Sequence, residues 1–277
     1  DLSKWDVSKV KSLNEAFAFS NIELNISDWK LNSLKSLDKC FYESNSILDL
    51  SKWNIKNIKD MSEMFVGCIN IPDVSEWDVS HVTNMRRMFC NSSVSNIDLS
   101  KWNTSNVKDF SEMFKDCKEF DGNVSGWIIK DAICDCMFEN CVEFTGKGVE
   151  TWKPTFNPNF ETSHGHWCNF VVKHNHRMFA DCVKFNADIS NWDASKLIAL
   201  DYTFKGCTSL DFDISKWKLT GLFDPKEYKS KNIYSLHSSF QDCKNLGDDS
   251  ITRETLGIPE DMQVKWPFAD TKISKIK

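Results

Sequence analysis

The stretch Asp98-Leu99-Ser100-Lys101-Trp102-Asn103-Thr104-Ser105-Asn106-Val107-Lys108-Asp109-Phe110-Ser111-Glu112-Met113-Phe114-Lys115-Asp116-Cys117 is one unit of a repeat that fills most of a 277-residue chain. Its tryptophan recurs at Trp5, Trp29, Trp53, Trp77, Trp127, Trp152, Trp192 and Trp217, and the spacing from Trp5 to Trp152 is always 24 or 25 residues. A phenylalanine follows each one: Phe17, Phe41, Phe65, Phe89, Phe114, Phe138, Phe179, Phe204 and Phe240. A fixed period in the twenties marks stacked units, none of which can bury its apolar face alone.

Three residues before each tryptophan stands an aliphatic residue, such as Leu2, Ile26, Leu50, Val74 or Leu99. Two after it come Val7, Leu31, Ile55 and Val79, and five after it Val10, Leu34, Ile58 and Val82. The resulting L-x-x-W-x-V-x-x-V pattern has leucine-rich-repeat spacing, which predicts a short parallel strand at W-x-V. The period then changes. Val107, Phe110, Met113, Phe114 and Cys117 fall on one face of a helix. Asp109 with Glu112 and Asp60 with Glu63 read as capping boxes, and Gly67 and Gly206 as helix stops.

The expected fold is therefore an α/β, leucine-rich-repeat-like solenoid of about nine coils, each a short parallel strand plus a short helix. It spans residues 1–246, with insertions at about 153–172 and 218–231 that should leave by one edge. Residues 247–277 form a C-terminal cap or tail, expected to cover the last coil.

A net charge of −6 offers no basic face for nucleic acid. No apolar run is long enough to span a membrane. The chain starts at Asp1, inside a repeat and without methionine, so its natural N-terminus is expected to lie upstream and a missing leader carries no weight. Of eleven cysteines, Cys68, Cys117, Cys141, Cys182, Cys207 and Cys243 stand three residues after the repeat phenylalanine, where other units place Ser20, Ser44 and Ser92. A position that alternates between cysteine and serine is a packing position, and free thiols are expected there. Asp49, Asp73, Asp98, Asp188 and Asp213 each precede a serine by two residues and read as Asx turns rather than cation ligands.

The D-[IL]-S-x-W-[DN]-V-S-x-V-x-x-M-x-x-M-F-x-x-C run resembles the BspA-like repeats of roughly 25 residues found in mycoplasma surface lipoproteins, other bacterial surface proteins, protists and giant viruses. The resemblance covers about residues 1–145 and 178–246. It implies a leucine-rich-repeat-like scaffold for adhesion or protein recognition, and names no partner.

Two features stand apart from the repeat. His164, His166, Cys168, His174 and His176 crowd the first insertion and have the ligand chemistry of a structural zinc site. Their spacing matches no standard finger, and the other reading is a set of polar loop histidines. No other cofactor is expected. Cys136 sits where other units place Glu63, Arg87 or Glu112, so it should be exposed and could join that site.

The residues flanking W-x-V give the expected outer face: Lys4, Asp6, Lys52, Asn54, Glu76, Asp78, Lys101 and Asn103. They mix charges and amides, with no aromatic row for stacking sugars or bases. Phosphate-loop, dinucleotide and zinc-protease signatures are missing, so catalysis is not expected. The reading is a non-enzymatic scaffold for protein–protein recognition or adhesion at a cell surface. The alternative is a self-assembling structural component of a virus particle or envelope, put together inside a cell.

Overall fold

Phe110–Cys117 has the spacing of a helix and the backbone of something else. In the computed structural model Glu112 and Asp116 both adopt left-handed conformations, with φ of 56° and 62°. A left-handed residue every fourth position cannot propagate an α-helix. The same pair recurs on either side of each repeat phenylalanine: Glu15 and Phe19, Lys39 and Glu43, Glu63 and Gly67, Arg87 and Asn91, Cys136 and Asn140, Arg177 and Asp181, Tyr202 and Gly206, Ser238 and Asp242. Gly67 and Gly206 are thus members of this column and not helix stops.

The hydrogen bonds explain the geometry. Alternate N–H groups close three-residue turns inside the unit, Met113 to the Phe110 carbonyl at 3.0 Å and Lys115 to Glu112 at 3.1 Å. The N–H groups between them reach the next unit: Glu112 to Asp135 at 2.8 Å, Phe114 to Met137 at 2.8 Å and Asp116 to Glu139 at 2.9 Å. Both sets of backbone groups are satisfied without a helix.

The W-x-V segment is also a turn. Trp102 N–H donates to Leu99 and Val107 N–H to Thr104. Parallel pairing between units is confined to single-residue bridges, such as Ser12–Ser36–Asp60–Asn84–Asp109–Ile133. The expected α/β solenoid of strand plus helix is therefore incorrect. Among the described residues regular structure amounts to 3-10 turns at Val149–Thr151, Ala194–Lys196 and Ile214–Lys216 and one short helix, Arg253–Leu256. No sheet forms among the described residues, because bonds within each unit use the N–H groups that a second bridge would need.

The described residues are 2–23, 25–46, 49–154, 176–196, 200–220, 236–248, 250–260 and 267–273. No helix among them is long and apolar enough to cross a membrane.

Side chains hold the units in register. The repeat phenylalanines stack from Phe17 to Phe240 and on to Phe268, with centroids 5.2–5.7 Å apart and planes within 13°. Offset stacking of this kind adds about 0.5–1.5 kcal/mol per pair beyond burial. Most buried indoles donate back one unit, Trp102 Nε1 to the Val74 carbonyl at 3.1 Å and Trp127 Nε1 to Leu99 at 2.9 Å, whereas Trp77 and Trp192 Nε1 have no acceptor among the described residues. The ladder thiols do the same. Cys117 donates to the Phe89 carbonyl at 2.8 Å, Cys182 to Phe138 at 2.9 Å and Cys243 to Phe204 at 3.0 Å. The ten described cysteines are free. At the far end Phe240 N–H donates to Pro267 and Asp242 N–H to Ala269.

Candidate recognition surfaces

Corners of the units are Asx and related turns, three per unit in the units of Trp53, Trp77 and Trp102. In the unit quoted first, Asp98 accepts from Ser100 N–H, Asn103 from Ser105 and Asp109 from Ser111. The Asp109 carboxylate caps Ser111 at 2.8 Å, whereas Glu112 N–H goes to the next unit, so the expected capping box is corrected to an Asx turn. Exposed turn acids such as Asp49, Asp98 and Asp213 sit below the usual carboxylate range because the hydroxyl and N–H of the serine two residues on favour the charged form.

This chemistry divides the eight outer-face residues into two columns. Asp6, Asn54, Asp78 and Asn103, just after tryptophan, are frame residues that accept from the N–H two residues later at 3.0–3.2 Å. Lys4, Lys52, Glu76 and Lys101, just before tryptophan, are exposed and take no part in these turns. Lys52 pairs with Asp28 one unit back at 2.9 Å, and Lys101 with Glu76. Their side chains are about two-thirds exposed, so solvent screens them and each pair adds at most about 1 kcal/mol.

A second charge column, which the repeat reading misses, runs beside the phenylalanine stack at the offset two before each ring. Glu63 meets Arg86 at 2.8 Å and Arg87 at 3.6 Å, and Arg87 continues to Glu112 at 3.4 Å. Farther along, Lys115 and Arg177 converge on Glu139 at 2.9 and 2.5 Å. Glu139 is 11% exposed. Burial raises its carboxyl, but bonds from Lys115, Cys136 and Arg177 overcome this and hold it below the ordinary value. The legible signal was the alternation of acid and base at one offset in successive units: Glu63, Arg87, Glu112.

Three overlapping segments, residues 1–71, 44–152 and 150–252, match the family described as Mycoplasma protein of unknown function, DUF285. The chain belongs to this family. No curated protein and no solved structure matches it. The third DUF285 segment runs through both lengthened units.

The histidine cluster is only partly described. His164, His166, Cys168 and His174 lie outside the described residues. His176 donates its backbone N–H to Asp135 Oδ1 at 3.0 Å, and its ring meets Tyr202 edge-on at 5.6 Å. The second lengthened unit repeats the arrangement, His237 N–H to Asp201 Oδ1 at 3.1 Å with its ring 5.0 Å from Tyr202. Among the described residues no group of three or more His, Cys, Asp or Glu side chains is placed to hold a metal ion. Burial pushes the Asp135 carboxyl up to about 7, against the His176 N–H bond and with help from Asp109 and Glu112. Cys136 is half-buried rather than exposed, and burial, with the neighbouring Glu139 carboxylate, pushes its thiol well up.

Proposed function

We propose that the chain is a non-enzymatic repeat scaffold, of the BspA-like type with units of about 25 residues, for protein–protein recognition or adhesion at a surface. The observation that supports this reading is the outward column Lys4, Asp28, Lys52, Glu76 and Lys101. Its members are exposed, alternate in sign and ride on a frame whose rings repeat every 5.4–5.7 Å between Phe17 and Phe114. Charge of alternating sign on a rigid pitch selects a partner by register and suppresses wrong ones through like-charge contact. The frame itself is already satisfied by Asx turns and ring stacks, and the column's own ion pairs are exposed and weak, so a partner can compete for these side chains.

The test replaces Lys4, Lys52, Glu76 and Lys101 together with alanine and leaves Asp6, Asn54, Asp78 and Asn103 in place. Retention of cell-surface protein extract on the immobilised chain should fall several-fold, with an unchanged melting temperature. Equal retention by the variant removes the column from recognition. A chain that sediments as a large self-assembly favours a packing role instead.

A further inference from the structure

From Phe114 onward, the sixth residue after each ladder phenylalanine is large, apolar and fully buried: Phe120, Phe144, Phe185, Leu210 and Leu246. Phe120 lies against Phe114 with centroids 4.2 Å apart, and Phe144 against Phe138 at 4.5 Å. After Phe89 that offset holds Ser95, which is exposed, and after Phe65 it holds Ile71, only partly buried. The corner therefore lacks the ring that fills it elsewhere. An open groove of about 800 Å³ runs there, between residues 69–73 of one unit and 93–98 of the next.

Three kinds of group line it. Ile69, which is 61% exposed, joins the partly buried Ile71 and Ile97 in an aliphatic floor. The walls carry open backbone. One unit farther on, Leu99 N–H donates to Asn123 and Asn123 N–H to Ile97, which closes the parallel bridge Asp98–Asn123. The counterparts in the groove would run from Val74 N–H to Asp98 and from Asp98 N–H to Pro72, and neither forms among the described residues. Asp73 and Asp98 follow at the turn end of the two walls. Both are held below the usual carboxylate range by the N–H and hydroxyl of the serine two residues on. No base lines the groove, and Lys101, whose charge acts on both acids, is paired with Glu76.

We propose that this groove binds an extended segment of a partner protein that carries aliphatic residues and one lysine or arginine. The segment's backbone pairs with the open Asp98 N–H and the Pro72 and Asp98 carbonyls, as an added strand does. Its alternate side chains cover Ile69, Ile71 and Ile97. Charge complementarity selects the occupant: two carboxylates one unit apart attract a cation and repel an acidic segment. The lining shares no residue with the outer column Lys4, Asp28, Lys52, Glu76 and Lys101, so the groove stands whether or not that column is read.

The experiment selects a phage-displayed library of random hexapeptides on the immobilised full chain, with Ser95→Phe as counter-target. That substitution supplies the ring that Phe120 places in the next unit. Enriched peptides should carry one Lys or Arg among aliphatic residues. In fluorescence anisotropy titrations they should bind Ser95→Phe at least tenfold more weakly than the unaltered chain. A similar loss is expected for Asp73→Asn combined with Asp98→Asn, which keeps the turns, since Asn123 accepts from Ser125 N–H in the same way. Should Ser95→Phe not fold, the asparagine pair alone decides. No enrichment, enrichment of acidic or uncharged sequences, or unchanged binding to the asparagine pair would overturn the proposal. Self-association of the chain that the peptides displace would show that a second copy fills the groove and would overturn it equally.

Discussion

The Cys141 thiol donates to the carbonyl of Phe114, one unit back, at 2.9 Å. Cys68, Cys117, Cys182, Cys207 and Cys243 make the same bond, whereas Ser44 donates to the Ser20 carbonyl one unit back and Ser20 to Phe17 within its own unit. The column therefore asks for a small side chain with a donor. Cys141→Ser should be tolerated to within about 1 kcal/mol, while Cys141→Val leaves the carbonyl unpaired and overfills the site, costing roughly 2–4 kcal/mol. Urea midpoints of the two variants check this order. Burial also pushes the Cys117 thiol up to about 12, so native protein should resist maleimide at neutral pH until it unfolds.

Two tryptophans differ in one bond. Trp102 Nε1 donates to Val74 at 3.1 Å, whereas Trp77 Nε1 is buried and has no partner. Trp102→Phe loses ring area and the bond, and orphans a carbonyl; Trp77→Phe loses ring area and removes an unsatisfied donor. The first substitution should cost about 1–2 kcal/mol more than the second. Equal costs from denaturant titration would contradict the hydrogen-bond assignment.

Asp135 makes stability depend on pH in an unusual direction. Its folded value is about 7 against an ordinary 3.8, so between those limits the folded chain binds more protons than the unfolded chain. Stability from this group is then full below the ordinary value and lost as pH rises through about 7. Asp38, raised by burial, acts in the same sense, while the turn acids, held low, act only at more acid pH. Melting temperature should fall from pH 5 to pH 8, and Asp135→Asn should flatten that slope. A slope unaltered by the substitution would place the titration elsewhere.

What the sequence disclosed was inwardness. The offsets of Trp102, Phe114, Leu99 and Cys117 identify buried columns, because burial depends on which residues face the core and not on how the chain turns between them. The backbone was misread because a run of three-residue turns places Phe110, Met113, Phe114 and Cys117 inward as well as a helix does. One signal did discriminate. The position two after each phenylalanine holds Gly67, Asn91, Asp116, Asn140, Asp181, Gly206 and Asp242, the residue types that tolerate left-handed backbone. Glu43 and Phe19 in the same column obscured it. The outer face was half legible: Lys52 and Lys101 point outward as expected, but Asn54 and Asp78 serve the frame, and an Asx turn and a solvated contact residue look alike in a sequence. The charge column of Glu63, Arg87 and Glu112 was obscured because the sequence reading assigned that offset to open surface.

Glu43 provides the most direct test of stacked turns against strand and helix. It is exposed and sits at φ 49° in the left-handed column, where other units carry Gly67 and Gly206. In a helix, Glu→Gly at an exposed position costs about 0.5–1 kcal/mol; at a left-handed position the same change relieves strain of about 1 kcal/mol. The measurement is the urea unfolding free energy of Glu43→Gly. A gain in stability is the result expected of the turn ladder, and a loss of about 1 kcal/mol would contradict it.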